Sequence, residues 1–147
     1  MRVLIVDDTD DVRSLLRVAL SVAGFETMEA SEGPAALHLL ATQPTPDLVL
    51  LDVQMPVMDG WQTLSQIRSS PSTAALPVIM CTVKSRPEDR LRGWELGCDG
   101  YLSKPFDIGE LVELVRSVAG RPLDARAQTR EAELTALRET SSNGRAH

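Results

Sequence analysis

This sequence predicts an α/β fold: a doubly wound, five-stranded parallel sheet with helices on both faces. Three observations carry that reading. Asp47-Leu48-Val49-Leu50-Leu51-Asp52 sets four consecutive apolar residues between two acids with no alternating face, the pattern of a short strand buried on both sides. Five short apolar stretches of this kind alternate with five segments of helical spacing, the rhythm of right-handed βαβ units. The connections between them are short, and no internal repeat or low-complexity linker precedes residue 120.

In chain order, Val3 to Val6 is the first strand and ends in Asp7-Asp8. Asp10 is placed to cap a helix on which Val12, Leu15, Leu16, Ala19 and Val22-Ala23 share a face, with Gly24 as its stop. Phe25 to Glu29 is a short second strand. Glu32-Gly33-Pro34 opens a helix through Leu40, with Pro34 early enough that its missing N–H does no harm. The central strand runs from Asp47 to Asp52, and Pro56 and Asp59-Gly60 turn the chain away from it. Asp59 then caps a helix carrying Trp61, Leu64 and Ile67, which runs down in Ser69-Ser70-Pro71. Pro77 to Thr82 is the fourth strand. Pro87 begins a helix over Leu91, Trp94, Glu95 and Leu96, stopped by Gly97. Asp99 to Ser103 is the fifth strand, followed by Lys104-Pro105. Asp107 caps a last core helix over Ile108, Leu111, Val112, Leu114, Val115 and Val118, closed by Gly120 and Pro122.

The chain has 147 residues, 43% of them hydrophobic and 24% charged, enough for one domain with a real core. Its net charge of -6 argues against nucleic-acid backbones and anionic membranes as partners. Residues 1–120 hold 10 Lys/Arg against 17 Asp/Glu, and the remainder 5 against 4. No charged leader or membrane-length apolar run is present, so a cytoplasmic protein is expected. Cys81 and Cys98 lack metal spacing; Cys81, in an apolar run, reads as a small core residue.

Four of the five strands end in polar groups: Asp7-Asp8, Asp52, Thr82 and Lys104. Parallel strands point the same way, so these side chains should gather at one edge, where open α/β sheets bind ligands. Crowded carboxylates repel unless a cation intervenes, and oxygen ligands suit a hard ion such as Mg²⁺. A carboxylate beside such an ion, with an ammonium and a hydroxyl close by, is equipped to accept a phosphoryl group.

Val3-Leu4-Ile5-Val6-Asp7-Asp8, Leu50-Leu51-Asp52-Val53-Gln54-Met55-Pro56-Val57-Met58-Asp59-Gly60 and Gly97-Cys98-Asp99-Gly100-Tyr101-Leu102-Ser103-Lys104-Pro105-Phe106 resemble the receiver domain of two-component response regulators, in order and at family spacing. The resemblance covers residues 1 to about 120 and implies a flavodoxin-like strand order 2-1-3-4-5. It implies phosphotransfer from a histidine kinase or phosphotransfer protein to Asp52, so that the chain is a signalling switch whose only chemistry is self-phosphotransfer and autodephosphorylation. Asp8 and Asp52 would bind Mg²⁺ with the backbone carbonyl of Gln54, while Asp7 acts mainly through water. Thr82 and Lys104 would hold the phosphoryl oxygens, and Thr82 and Tyr101 would form the switch that reports phosphorylation. The Lys104-Pro105 bond is similar to one that is cis in the family.

Val83 departs from the pattern, since the position after Thr82 is usually very small; its methyl groups are expected to narrow access to Asp52. Gln54 and Lys84 occupy positions that tune phosphoryl lifetime in the family. His38 is expected on a surface away from the acidic edge, and Trp61 and Trp94 between helices. A pseudo-receiver, a non-phosphorylated interaction module, is the alternative reading, with Val83 leaning towards it. An aspartyl-phosphate phosphatase of the haloacid dehalogenase type is disfavoured because Gln54 stands where a second Asp is needed. Residues 121–147 resemble no output domain. Leu123, Ala127, Arg130, Leu134 and Leu137 share a helical stripe, and Ser141 to His147 reads as disordered. Output is expected through phosphorylation-dependent contact, a homodimer or a separate protein target, on the face made by residues 87–119.

Overall fold

The computed structural model describes residues 1–145, with side chains through Thr140. Its elements run β1 (Arg2–Val6), α1 (Asp10–Val22), β2 (Glu26–Ala30), α2 (Gly33–Thr42), β3 (Leu48–Leu51), α3 (Gly60–Ser69), β4 (Val78–Thr82), α4 (Pro87–Leu96), β5 (Gly100–Ser103), α5 (Ile108–Ala119) and α6 (Leu123–Arg145). The sheet is parallel throughout, in the order β2-β1-β3-β4-β5, as the resemblance implied.

All four residues of β3 are buried, and their alternation explains why the strand shows no polar face. Leu48 and Leu50 join Val3, Ile5, Leu16, Leu20, Leu111 and Val115 in the layer under α1 and α5. Val49 and Leu51 join Leu4, Val6, Ala36, Leu64, Ile67 and Trp94 in the layer under α2, α3 and α4. Both sides of each central strand thus leave water, which is what a sheet covered on two faces requires. Trp61 and Trp94 pack in the second layer as expected, His38 is exposed, and Cys81 and Cys98 are buried free thiols.

Asp59 caps α3 as predicted: its carboxylate accepts the Gln62 N–H at 2.8 Å while the Gln62 side chain accepts the Asp59 N–H at 3.1 Å, a capping box. Asp107 caps α5 by accepting the Glu110 N–H. Gly97 ends α4 at φ 101°, where a side chain would be strained. Two expectations need correction. Asp10 is not the cap of α1; Thr9 is, and Asp10 is the first helical residue. The helix starts there because Asp7 accepts the Thr9 N–H at 2.9 Å and turns the chain early.

The second correction concerns the C-terminal segment. Within α6, Leu134 and Leu137 face the core layer under α4 and Arg130 reaches Asp99. Leu123 and Ala127, however, are exposed, and the buried member of the first turns is Arg126. Attraction of two arginines to one buried carboxylate sets the facing side there, not apolar spacing. Ser141 to Arg145 continue α6 rather than leaving it as a disordered end, consistent with the small cost of extending a helix already formed; Ala146 and His147 lie outside the described residues. No helix among the described residues is long and apolar enough to cross a membrane.

Candidate functional site

Strand register places the polar groups before any side chain is considered. Val6 pairs with Leu51, so Asp7 and Asp52 are the next residues on neighbouring strands. Thr82 ends β4 and pairs with Ser103, so Lys104 follows on the outer neighbour. Backbone hydrogen bonds from Asp52 N–H to the Val6 carbonyl (3.0 Å) and from Lys104 N–H to the Thr82 carbonyl (2.8 Å) extend the ladders by one step. The sheet edge is therefore rigid where its charges emerge.

There, one carboxylate oxygen from each of Asp7, Asp8 and Asp52 lies within 4.8 Å of the others. Asp7 and Asp52 are buried and Asp8 is exposed, so the cluster opens to solvent on the Asp8 side. Lys104 Nζ donates to Asp7 Oδ2 at 2.5 Å and to Asp52 Oδ2 at 3.2 Å. The other Asp52 oxygen, Oδ1, accepts the Val53 N–H at 2.7 Å and faces the Gln54 N–H at 3.4 Å. Two backbone donors thus fix one oxygen, while the ammonium holds the second.

Burial pushes the Asp52 carboxyl above its ordinary range; the Lys104 charge and the Thr82 hydroxyl oppose the shift, and the Asp7 charge adds to it. Burial works against the Lys104 ammonium, but the hydrogen bond to Asp7 and the charges of Asp52 and Asp7 outweigh it, so its pKa is raised. The site is short of positive charge: two buried carboxylates share one ammonium, and a third carboxylate stands at the rim. Its donors are hard oxygens, the set that suits Mg²⁺.

Thr82 is fully buried, and its hydroxyl oxygen accepts the Lys84 N–H at 3.2 Å, which shapes the loop between β4 and α4. Tyr101, on β5, donates its hydroxyl to the Lys84 carbonyl. Its ring packs against Gly93 of α4 and lies 5.7 Å from the Arg90 guanidinium; burial, then the Asp89 charge, raises the phenol pKa. The loop, α4 and Tyr101 are thereby one connected unit reaching Thr82. Val83 is 53% exposed and lines a groove with Gln54, Lys84, Ser85 and Arg86. The Lys104-Pro105 bond is cis.

Two contributors lay outside the sequence reading. Gly60 donates its N–H to the Val53 carbonyl at 2.8 Å, and a Cβ on it would sit 2.1 Å from the Asp52 carbonyl oxygen; only glycine lets α3 start against Asp52. Its place after Asp59 at the head of a helix was the available signal. Asp99 is the other. Its side chain is fully buried between Arg68, Arg126 and Arg130, and nothing local in the sequence marks those arginines as its partners.

Comparison with known proteins follows the same boundary. The family model described as "Response regulator receiver domain" matches residues 3–116. The "DNA-binding dual master transcriptional regulator RpaA" of Synechocystis sp. is 36% identical over 120 residues, covering 82% of this chain and 49% of that protein. Across the curated relatives the chain spans about half their length, from 46% to 55%. A putative response regulator from Chloroflexus aurantiacus superposes with a TM-score of 0.78 at 36% identity, over 82% of this chain and 98% of that one. The Mn(2+)-bound form of response regulator Rcp1 superposes with a TM-score of 0.69 at 27% identity, over 80% of this chain and 90% of that one.

Proposed function

The chain belongs to the response regulator receiver domain family, and from that premise we propose that Asp52 accepts a phosphoryl group from a histidine kinase or phosphotransfer protein and thereby switches a protein-interaction face. In this reading residues 1–120 are the receiver, residues 121–147 an appended C-terminal tail that carries α6, and the site of action the cytoplasm. The observation that carries it is the strand-end cluster: Asp7, Asp8 and Asp52 within 4.8 Å, with Lys104 bonded to two of them.

Asp52 Oδ2 is the oxygen placed to attack, since Oδ1 is tied to backbone N–H groups. As its bond to phosphorus forms, the N–P bond of the donor breaks and the electron pair returns to the donor imidazole. Lys104 then has a phosphoryl oxygen to neutralise in place of a bare carboxylate, and the Thr82 hydroxyl can donate its proton to another while its oxygen accepts the Lys84 N–H. Asp7, Asp8 and Asp52, with the Gln54 carbonyl, would hold Mg²⁺, which supplies positive charge to the transferring oxygens when bound. That a structural neighbour, response regulator Rcp1, is described as Mn(2+)-bound supports reading a divalent ion for this fold.

An apolar surface borders the site. Leu15, Val18 and Val22 of α1 are exposed, and Leu15 lines a groove with Val12, Lys104, Pro105 and Phe106, an apolar surface on which the donor would dock. Output would use α4, β5 and α5. Phosphorylation draws Thr82 and its loop inward, and the Tyr101 bond to Lys84 carries the shift to α4.

Incubation with acetyl phosphate and Mg²⁺ tests the reading: wild type should gain one phosphoryl group by mass and Asp52→Asn none. Equal labelling of both proteins would move the acceptor elsewhere. No labelling of either, with partner binding intact, would favour the pseudo-receiver.

A further inference from the structure

We infer that α6 is a releasable occupant of α4, seated on the flank that the unmodified protein keeps covered and leaving it when Asp52 is occupied. This rests on the switch proposed above. The helix lies beyond the family match, which ends at residue 116, yet it is packed along α4. Leu134 is buried with Trp94 and Cys98, and Leu137 packs on the same cluster with Leu91, Leu96 and Tyr101. Arg138 reaches Glu95 at 3.9 Å.

Its polar anchor is the turn between α4 and β5. Arg130 donates to the carbonyls of Cys98 (3.1 Å) and Gly97 (3.2 Å) and to Asp99 Oδ1 (2.8 Å). From the other side, Arg68 of α3 donates to the Gly97 carbonyl (2.9 Å) and to Asp99 Oδ2 (2.8 Å). One turn is thus held by α3 and α6 together, and movement of α4 changes the distance between its two holders.

The anchor is also imperfect, which makes it releasable. Arg126 is 6% exposed and donates one hydrogen bond, to the Ala75 carbonyl at 2.8 Å. Its Nη1 lies 3.1 Å from Asp99 Oδ1 without making a hydrogen bond, and its Nε has no partner. A buried cation with unsatisfied N–H groups offsets much of what its Coulomb contact gives. Asp99 does not depend on α6, because it keeps Arg68 and the Val78 N–H (2.9 Å). Undocking therefore returns two arginines to water and leaves the carboxylate paired.

Amide hydrogen exchange of the full chain, with and without beryllofluoride and Mg²⁺, tests this. With Asp52 occupied, amides of residues 126–137 should exchange about tenfold faster or more while those of β3 are unchanged. If the Thr82 loop responds to beryllofluoride and α6 does not, the inference is overturned. If neither responds, the proposed phosphorylation site fails, and Arg130→Glu, which sets a carboxylate against Asp99, decides on α6 alone. Faster exchange confined to α6 in that variant supports a separable latch; equal acceleration in β3 makes α6 an inseparable part of the core and overturns it.

Discussion

At Gly60 the start of α3 touches the backbone of Asp52, the proposed phosphoacceptor, and the contact leaves no space for a methyl group. Because the obstruction is the Asp52 carbonyl and the Val53 Cα, not a flexible side chain, Gly60→Ala must push α3 away or twist the acceptor. We expect a loss of about 2–4 kcal/mol in urea unfolding, and slower phosphorylation by acetyl phosphate even where folding is complete; an unchanged midpoint would show that the helix start yields freely. Val83 sits at the same edge, exposed beside Gln54 in the groove. If its methyl groups narrow the approach to Asp52, Val83→Ala should speed both phosphorylation by small donors and loss of the phosphoryl group, by about threefold to tenfold, roughly 1 kcal/mol of barrier. Equal rates in wild type and variant would mean that the groove leaves Asp52 open already. Asp7, Asp52, Thr82 and Lys104 were legible residue by residue because strand ends in a parallel sheet must converge. Tyr101 was singled out only through the family resemblance, since one aromatic on an edge strand says nothing of a bond to the Lys84 carbonyl.

Elements differ in how far the sequence determines them. β3 announces itself because both its faces are buried, and α3 and α5 because Asp59 and Asp107 supply local caps. The seating of α6 is not local at all: Asp99 lies 31 residues from Arg68 and 31 from Arg130. In sequence each arginine reads as a solvated charge, and the apolar spacing from Leu123 suggests a different inward side. Packing of α4 against α3 supplies the missing information. Arg68 is the strongest link there, donating to the carbonyls of Leu76 (2.6 Å) and Gly97 (2.9 Å) and to Asp99 (2.8 Å). Burial lowers its pKa, with Asp99 opposing that shift, and the bonds hold it in place. Arg68→Met keeps much of the side-chain volume but leaves the Leu76 carbonyl and part of a buried carboxylate unanswered, and the Gly97 carbonyl with Arg130 alone. Its expected cost is about 3–5 kcal/mol by chemical denaturation, larger than for Arg126→Met, whose guanidinium is the poorly satisfied one. The reverse ranking would mean that α6, not α3, holds the turn between α4 and β5.

Across the whole molecule, concentrating acids at one sheet edge should make the stability of the fold depend on pH and, through the proposed ion, on metal. An unfolded Asp52 titrates near about pH 4, whereas burial raises the folded value, against the pull of Lys104. The folded chain therefore holds the Asp52 proton more tightly. That contribution to stability is fully present below the unfolded pKa and is lost as pH rises through the folded one. In EDTA, wild type should lose stability over this window above about pH 4 while Asp52→Asn does not, so the variant melts higher than wild type at neutral pH by a few degrees, roughly 1 kcal/mol. Mg²⁺ should act in the opposite sense, because in the proposed reading it would bind the ionised cluster of the folded protein alone. At about ten times its dissociation constant it should add about 1.4 kcal/mol to wild type, most of which Asp8→Ala removes by taking away the exposed carboxylate. Melting curves from pH 4 to 8, with and without Mg²⁺, on these three proteins separate the two effects. If the variants gained as much from Mg²⁺ as wild type, the ion would have to sit elsewhere. If Asp52→Asn were no more stable than wild type in EDTA at pH 7, Lys104 alone would already balance the buried acids, and the charge deficit argued for this edge would not exist.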